Sequence, residues 1–123
     1  MNVERLARRA YARPDTDLRD LRGMEYDLLA DCTKALKAAT AGEGWNYPAL
    51  AAAVERNLRL WTIFAADVAN PDNSLTQDLR GRLFYLYEFT ALHSRSVLDG
   101  AGSVDVLIDI NMAVMRGLRG GAA

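Results

Sequence analysis

The chain is poor in the side chains from which active sites and metal centres are built. Its 123 residues hold one histidine, His93, and one cysteine, Cys32. A structural zinc site takes four Cys or His ligands and a catalytic one usually three protein ligands, so neither kind is expected here. A lone cysteine cannot close an intrachain disulfide. No glycine-rich phosphate loop follows a strand pattern, and no G-x-S-x-G string is present. An excess of one charge is missing too. Against 15 Lys and Arg stand 16 Asp and Glu, a net charge of -1, which argues against a general nucleic-acid binder or a polybasic membrane-surface protein. The longest uncharged stretch runs only from Gly44 to Val54, whereas crossing a bilayer takes about 20 residues. The opening Met-Asn-Val-Glu-Arg lacks the apolar core of a secretory signal. The sequence therefore predicts a cytoplasmic protein that is not an enzyme and carries no cofactor.

What is present is helical patterning. Half the residues are apolar and a quarter are charged, as in an ordinary soluble domain rather than a disordered chain. The length suits one domain, 1–123, and no segment alternates with period two. Val3, Leu6, Ala7 and Ala10 share a stripe on a short N-terminal helix over 2–12, which is locally basic through Arg5, Arg8 and Arg9. Pro14 ends that helix, and Pro14 to Asp20 reads as a linker with caps at Asp15 or Thr16. A long helix follows to about Thr40, with Leu21, Met24, Leu28, Cys32, Ala35, Leu36 and Ala39 on one stripe. Thr40 to Gly44 is a glycine stop.

The next helix starts near Pro48, which suits a first turn, and runs to about Ala69. Its stripe is Leu50, Val54, Asn57, Leu58, Trp61, Phe64, Ala65 and Val68. Asn70 to Asn73 is a turn. Ser74 to Gln77 fits a capping box with Ser74 as the cap. The helix after it reaches about Leu98, with Leu79, Leu83, Leu86, Thr90, His93 and Val97 on its stripe and Phe84, Tyr87 and Phe89 widening the apolar arc. Asp99 to Gly102 breaks it. Ser103 caps the last helix, whose stripe is Val104, Leu107, Ile108, Asn111, Val114, Met115 and Leu118. The tail 118–123 is expected to fray. Helices of this length joined by short loops predict an all-α fold, an antiparallel helical bundle of four longer helices plus the short N-terminal one.

Three stretches resemble the FlaF family, the flagellar biosynthesis regulators of alphaproteobacteria. The first is Asn57-Leu58-Arg59-Leu60-Trp61-Thr62-Ile63-Phe64-Ala65-Ala66-Asp67-Val68-Ala69, followed by Asn73-Ser74-Leu75 and by Leu79-Arg80-Gly81-Arg82-Leu83. The second is Leu107 to Leu118, with its Ile-Asn-x-Ala-x-Met-Arg-Gly-Leu string. The third, weaker one is Arg22-Gly23-Met24-Glu25-Tyr26 leading to Thr33-Lys34-Ala35-Leu36. Many members carry a Ser-Pro or similar pair ahead of the third stretch, where this chain has Asp20-Leu21. The resemblance implies a role in promoting flagellin synthesis or export. It also implies flagellin as partner in a secretion-chaperone-like role, or joint action with the regulator FlbT on flagellin mRNA. The motif positions it offers for partner binding are Asn57, Leu60, Trp61, Phe64, Asp67, Asn111, Met112, Met115, Arg116 and Leu118.

Each candidate also has a plainer reading. Trp61 and Phe64 are anchors for a partner helix or core residues, and their spacing with Leu58 and Val68 favours the core. Asn57 and Asn111 are polar groups on apolar stripes. They need partners if buried: the plainer reading is that each bonds a loop or helix-end backbone and fixes packing, the functional one that they line a partner-binding edge, and their place in the two strongest motifs suggests that their helices are neighbours. Arg56, Arg59, Arg80, Arg82 and Arg116 read as solvated faces before they read as contacts to acidic segments or phosphates. The Asp27/Asp31 and Asp105/Asp109 pairs read as solvent-facing charge. His93 reads as a satisfied half-buried side chain, and Cys32 as a small core residue. Met112, Met115 and Leu118 form either core or an adaptable patch for a partner.

Overall fold

The computed structural model describes residues 18–41 and 46–119. Among these there are four helices and no strand: α1 (Leu18–Thr40), α2 (Tyr47–Ala69), α3 (Gln77–Leu98) and α4 (Val104–Arg119). The all-helical expectation holds. The short helix expected over 2–12, the caps at Asp15 and Thr16, and the glycines of the first stop lie outside the described residues. α1 begins at Leu18 rather than after Asp20, and Leu118 and Arg119, expected to fray, are still helical.

The helix ends follow local chemistry. Asn46 caps α2, its side chain accepting from the Ala49 N–H at 3.1 Å, and Pro48 lies in the first turn, where a missing N–H costs nothing. Ser103 caps α4 by accepting from the Asp105 N–H at 3.1 Å. α3 departs from expectation: its cap is Thr76, which accepts from the Leu79 N–H at 3.2 Å, and not Ser74. The reason is the preceding corner. Asn73 accepts from the Leu75 N–H at 2.9 Å and donates to the Asp67 carbonyl at 3.2 Å and its carboxylate at 3.3 Å. Those bonds hold residues 73–75 out of helical geometry, so the helix starts later. At the far end of α3, Gly100 takes a φ of +80°, a left-handed conformation that glycine adopts without a Cβ clash.

Two apolar clusters make the core. One gathers Leu36, Leu50, Ala53, Val54, Val97, Val104 and Leu107. The other gathers Leu29, Cys32, Leu60, Trp61 and Met115, with Phe64, Leu86, Ile110, Val114 and Leu118 packed against it. From the first cluster to the second, residue numbers fall in α1 and α3 and rise in α2 and α4. Chain direction therefore alternates from helix to helix. α1 packs against α2 and α4, α2 against α3, and α3 more sparsely against α4.

Between the clusters lies a polar layer. α1 contributes Thr33, α2 Asn57, α4 Asn111, and α3 Thr90 with Ser94 one turn on; all five are buried. The hydroxyls of Thr90 and Ser94 and the amide nitrogen of Asn57 have no hydrogen-bond partner among the described residues. A buried hydroxyl without a partner costs about 1–3 kcal/mol, and replacing it by an apolar group of the same shape removes that cost. Thr90→Val should therefore leave the protein equally or more stable, with a raised midpoint in urea unfolding. A midpoint lowered by more than about 1 kcal/mol equivalent would mean that the hydroxyl is bonded after all.

Candidate functional site

The strongest motif residues meet inside the bundle. Asn111 of α4 uses its amide in full view of two other helices. Its oxygen accepts from the Trp61 indole N–H of α2 at 2.9 Å. Its nitrogen donates to the Asn57 side-chain oxygen at 2.7 Å and to the Thr33 hydroxyl of α1 at 3.2 Å. Thr33 in turn donates to the Leu29 carbonyl at 2.7 Å. An Asn side chain offers two donors and one oxygen, so Asn111 is satisfied on both of its atoms. α2 and α4 share no broad contact face; these side chains bridge them through the middle of the bundle.

This geometry sorts the motif positions. Asn57 and Asn111 are fully buried and Trp61 is 1 % exposed, while Leu60 and Met115 are also buried. The structure brings Asn57, Trp61 and Asn111 together in the core, but α2 and α4, expected to be neighbours, share no broad contact face, and the two Asn side chains bond each other rather than a loop or helix-end backbone. Phe64, Asp67, Met112 and Leu118 are half-buried and Arg116 is exposed. Phe64 stacks edge-on against Trp61 with ring centroids 6.0 Å apart. Asp67 holds the α2–α3 corner through Asn73. Arg80, expected on a solvated face, is half-buried and donates to the Val68 carbonyl at 2.7 Å, closing the free end of α2. Arg59 and Arg82 make exposed one-turn pairs with Glu55 and Asp78 at 2.9 and 3.2 Å, worth a few tenths of a kcal/mol at about 0.3–0.5 each.

The remaining titratable candidates have structural roles. His93 stacks on Phe89 and its Nε2 lies 2.8 Å from the Ser103 carbonyl. A carbonyl only accepts, so Nε2 carries the proton and ties α3 to the start of α4. Asp27, Asp31, Asp105 and Asp109 are exposed. Among the described residues no group of three or more His, Cys, Asp or Glu is placed to hold a metal ion. Cys32 is buried, its Sγ 4.0 Å from the Arg56 carbonyl. Burial pushes its thiol up from the ordinary value, against a smaller pull from Arg56.

Two features escaped the reading of stripes and candidate sites. Thr33, in the third and weaker motif stretch, completes the polar layer although it lies beside the predicted stripe of α1. The other is a row of apolar side chains left in solvent on α3. Tyr85 is 65 % exposed, Phe89 39 % and Leu92 67 %, and their spacing of four and three residues puts them on one helix face. Hydrophobic spacing alone could not separate this row from the buried stripe, because apolar residues are spread around α3 among its charges with little one-sidedness. Leu79, expected on the buried stripe, is also exposed.

Removing Asn111 would leave the Trp61 N–H and the Asn57 oxygen without a partner, while the Thr33 hydroxyl keeps its bond to the Leu29 carbonyl. Asn111→Ala should cost about 3 kcal/mol or more in denaturant unfolding, since each orphaned buried group costs roughly 1–3 kcal/mol. A loss within about 0.5 kcal/mol, typical of surface changes, would contradict the bonding described. Raised thiol pKa means that folded Cys32 stays neutral as pH climbs through the ordinary thiol range. The native protein should react slowly with a thiol-directed reagent even at mildly alkaline pH, and promptly once unfolded in denaturant. Fast native reaction would contradict the burial.

Comparison with known proteins bears on what this arrangement is for. No curated protein and no solved structure matches the chain. A family model does: that of the flagellar protein FlaF matches residues 7–118, a span that includes the whole polar layer and all four helices but for the last residue of α4. The chain belongs to the FlaF family of flagellar proteins.

Proposed function

We propose that the protein promotes flagellin synthesis or export by binding flagellin in the cytoplasm, in a secretion-chaperone-like manner, and that the exposed row of α3 takes the flagellin helix. Family membership supports the flagellar setting. The observation that carries the binding reading is the row Tyr85, Phe89 and Leu92, apolar side chains of high exposure on one face. An amphipathic helix lays its own apolar stripe against such a face. Unassembled flagellin has amphipathic terminal segments that are helical in the filament, and covering one keeps the subunit from polymerising early. The half-buried motif positions Phe64, Asp67, Met112 and Leu118, with exposed Arg116, form a second group open to the partner. Asn57, Leu60, Trp61, Asn111 and Met115 act in this reading from inside, by holding α2 and α4 in place. Among the described residues no helix is long and apolar enough to cross a membrane, which fits a role away from the bilayer.

Titration calorimetry with monomeric flagellin tests this. The wild-type protein should bind one to one with micromolar or tighter affinity. Leu92→Asp should weaken binding at least tenfold, about 1.4 kcal/mol, while unfolding stability moves by no more than about 0.5 kcal/mol, as expected of a surface site. Unchanged affinity in Leu92→Asp, with Phe64→Ala or Met112→Ala weakened instead, would move the partner to the α2–α4 motif group. No binding by the folded wild-type protein would overturn the chaperone-like reading in favour of action with FlbT on flagellin mRNA. Direct RNA contact would then show as a strong inverse dependence on salt.

A further inference from the structure

α3 holds a single glycine, Gly81, in its second turn. Relative to alanine, a glycine inside a helix lowers the folding equilibrium constant roughly fivefold. Nothing within the described residues calls for one here. Among them only Gly100 has a positive φ, so the backbone at Gly81 is one that any residue adopts. A Cβ placed on Gly81 would meet no atom within 4 Å, so no neighbouring helix presses on it. Gly102 differs, since a Cβ there would lie 3.1 Å from the His93 and Ser96 side chains; that glycine serves the packing of the α3–α4 loop. Gly117 also faces open space, but it lies in the last turn of α4, whose carbonyls lack intrahelical partners in any case.

What the absent side chain leaves at Gly81 is an open hollow on α3, lined by Gln77, Asp78, Gly81, Arg82, Tyr85 and Leu86. Gln77 and Asp78 stand one turn before the glycine and Tyr85 one turn after it. The rim carries no net charge, because Arg82 pairs with Asp78 at 3.2 Å. The wall toward the rest of the helix, Tyr85 with Leu86, is apolar. Tyr85 is also the first residue of the exposed row. Steps of four, four and three residues from Gly81 through Tyr85, Phe89 and Leu92 keep all four on one helix face, about 16 Å long.

We propose that Gly81 is the point of closest approach of the partner helix, and that the hollow over it takes one large apolar side chain of flagellin while the next turns of the same helix lie along Phe89 and Leu92. The inference rests on the flagellin reading above and adds to it the crossing point and the chemistry of the anchor. Packed helix axes lie roughly 8–10 Å apart according to the side chains between them, and a glycine permits the short end of that range. A neutral rim and an apolar wall select an apolar side chain over a charged one. A second copy of the chain suits this face less well. Laid antiparallel so that its Leu92 fills the hollow, it brings the two exposed Glu88 carboxylates together near the two-fold axis. The glycine thus costs the helix stability and serves the complex.

Stability and affinity should therefore move in opposite directions when the hollow is filled. In urea unfolding, Gly81→Ala should lower the unfolding equilibrium constant roughly fivefold, and Gly81→Leu should be no less stable than wild type. In titration calorimetry with monomeric flagellin, Gly81→Ala should bind at least threefold more weakly and Gly81→Leu at least tenfold more weakly. Wild-type affinity in both variants, with Leu92→Asp still impaired, would overturn the crossing at Gly81 and leave the flagellin reading standing. Absence of flagellin binding by the wild-type protein would overturn both. A loss of stability in Gly81→Ala would overturn the proposal as well, because the glycine would then serve the fold. So would self-association, seen by light scattering, that Gly81→Leu abolishes while flagellin affinity stays unchanged, which would make a second copy the occupant.

Discussion

One amide side chain, that of Asn111, receives the indole N–H of Trp61 and donates to Asn57 and Thr33, and the register of three helices hangs on those bonds. A layer of polar side chains inside an apolar bundle has a particular consequence. Apolar contacts are non-directional, so helices packed only by leucine and valine can slide by a turn and lose little. A buried amide cannot slide, because any shift leaves several polar atoms unpaired at about 1–3 kcal/mol each. Single polar core positions set register in coiled coils for the same reason. Here the layer separates the cluster around Leu36, Val54 and Leu107 from that around Leu29, Trp61 and Met115.

The motif residues shape the bundle largely from inside and from one corner. The first two of the three stretches that carry the family resemblance supply Asn57, Trp61 and Asn111 to the interior, and Asp67, Asn73 and Arg80 to the α2–α3 corner. That corner fixes where α3 starts and how it rotates about its axis. The rotation in turn decides which of the apolar side chains spread around α3 face water. The outer row of Tyr85, Phe89 and Leu92 is thus presented by contacts made on the opposite side of the helix. The exposed row and the buried motif residues are different residues but are mechanically linked.

Much of the fold was legible in the sequence, for identifiable reasons. α2 and α4 carry strong one-sided stripes, so Leu50, Val54, Asn57, Trp61, Ala65, Val68, Leu107 and Asn111 could all be assigned to the core from spacing alone. The pairing of Asn57 with Asn111 was not legible: spacing marks a polar residue on an apolar stripe but does not name its partner, and a loop or helix-end backbone was the expected one. Thr33 was not legible either, since a threonine beside a stripe also bonds its own helix, as it does here to Leu29. The capping box at Ser74 failed because the Asn73 bonds to Asp67 and Leu75 compete with it over the same residues. The exposed row of α3 was illegible for a different reason: with apolar residues spread around the helix, spacing names no outward face, and the packing on α2 with ties such as Arg80 to Val68 sets it.

If the polar layer sets the register, the Trp61–Asn111 bond belongs to the last part of the structure to open. Exchange of the Trp61 indole proton with deuterium, followed by nuclear magnetic resonance, measures this directly. If the layer holds the bundle, that proton exchanges only when the whole protein unfolds, and its opening free energy equals the global stability from denaturant titration. An indole proton that exchanges through an opening several kcal/mol cheaper than global unfolding would show that the layer is a local feature, and that something else sets the register.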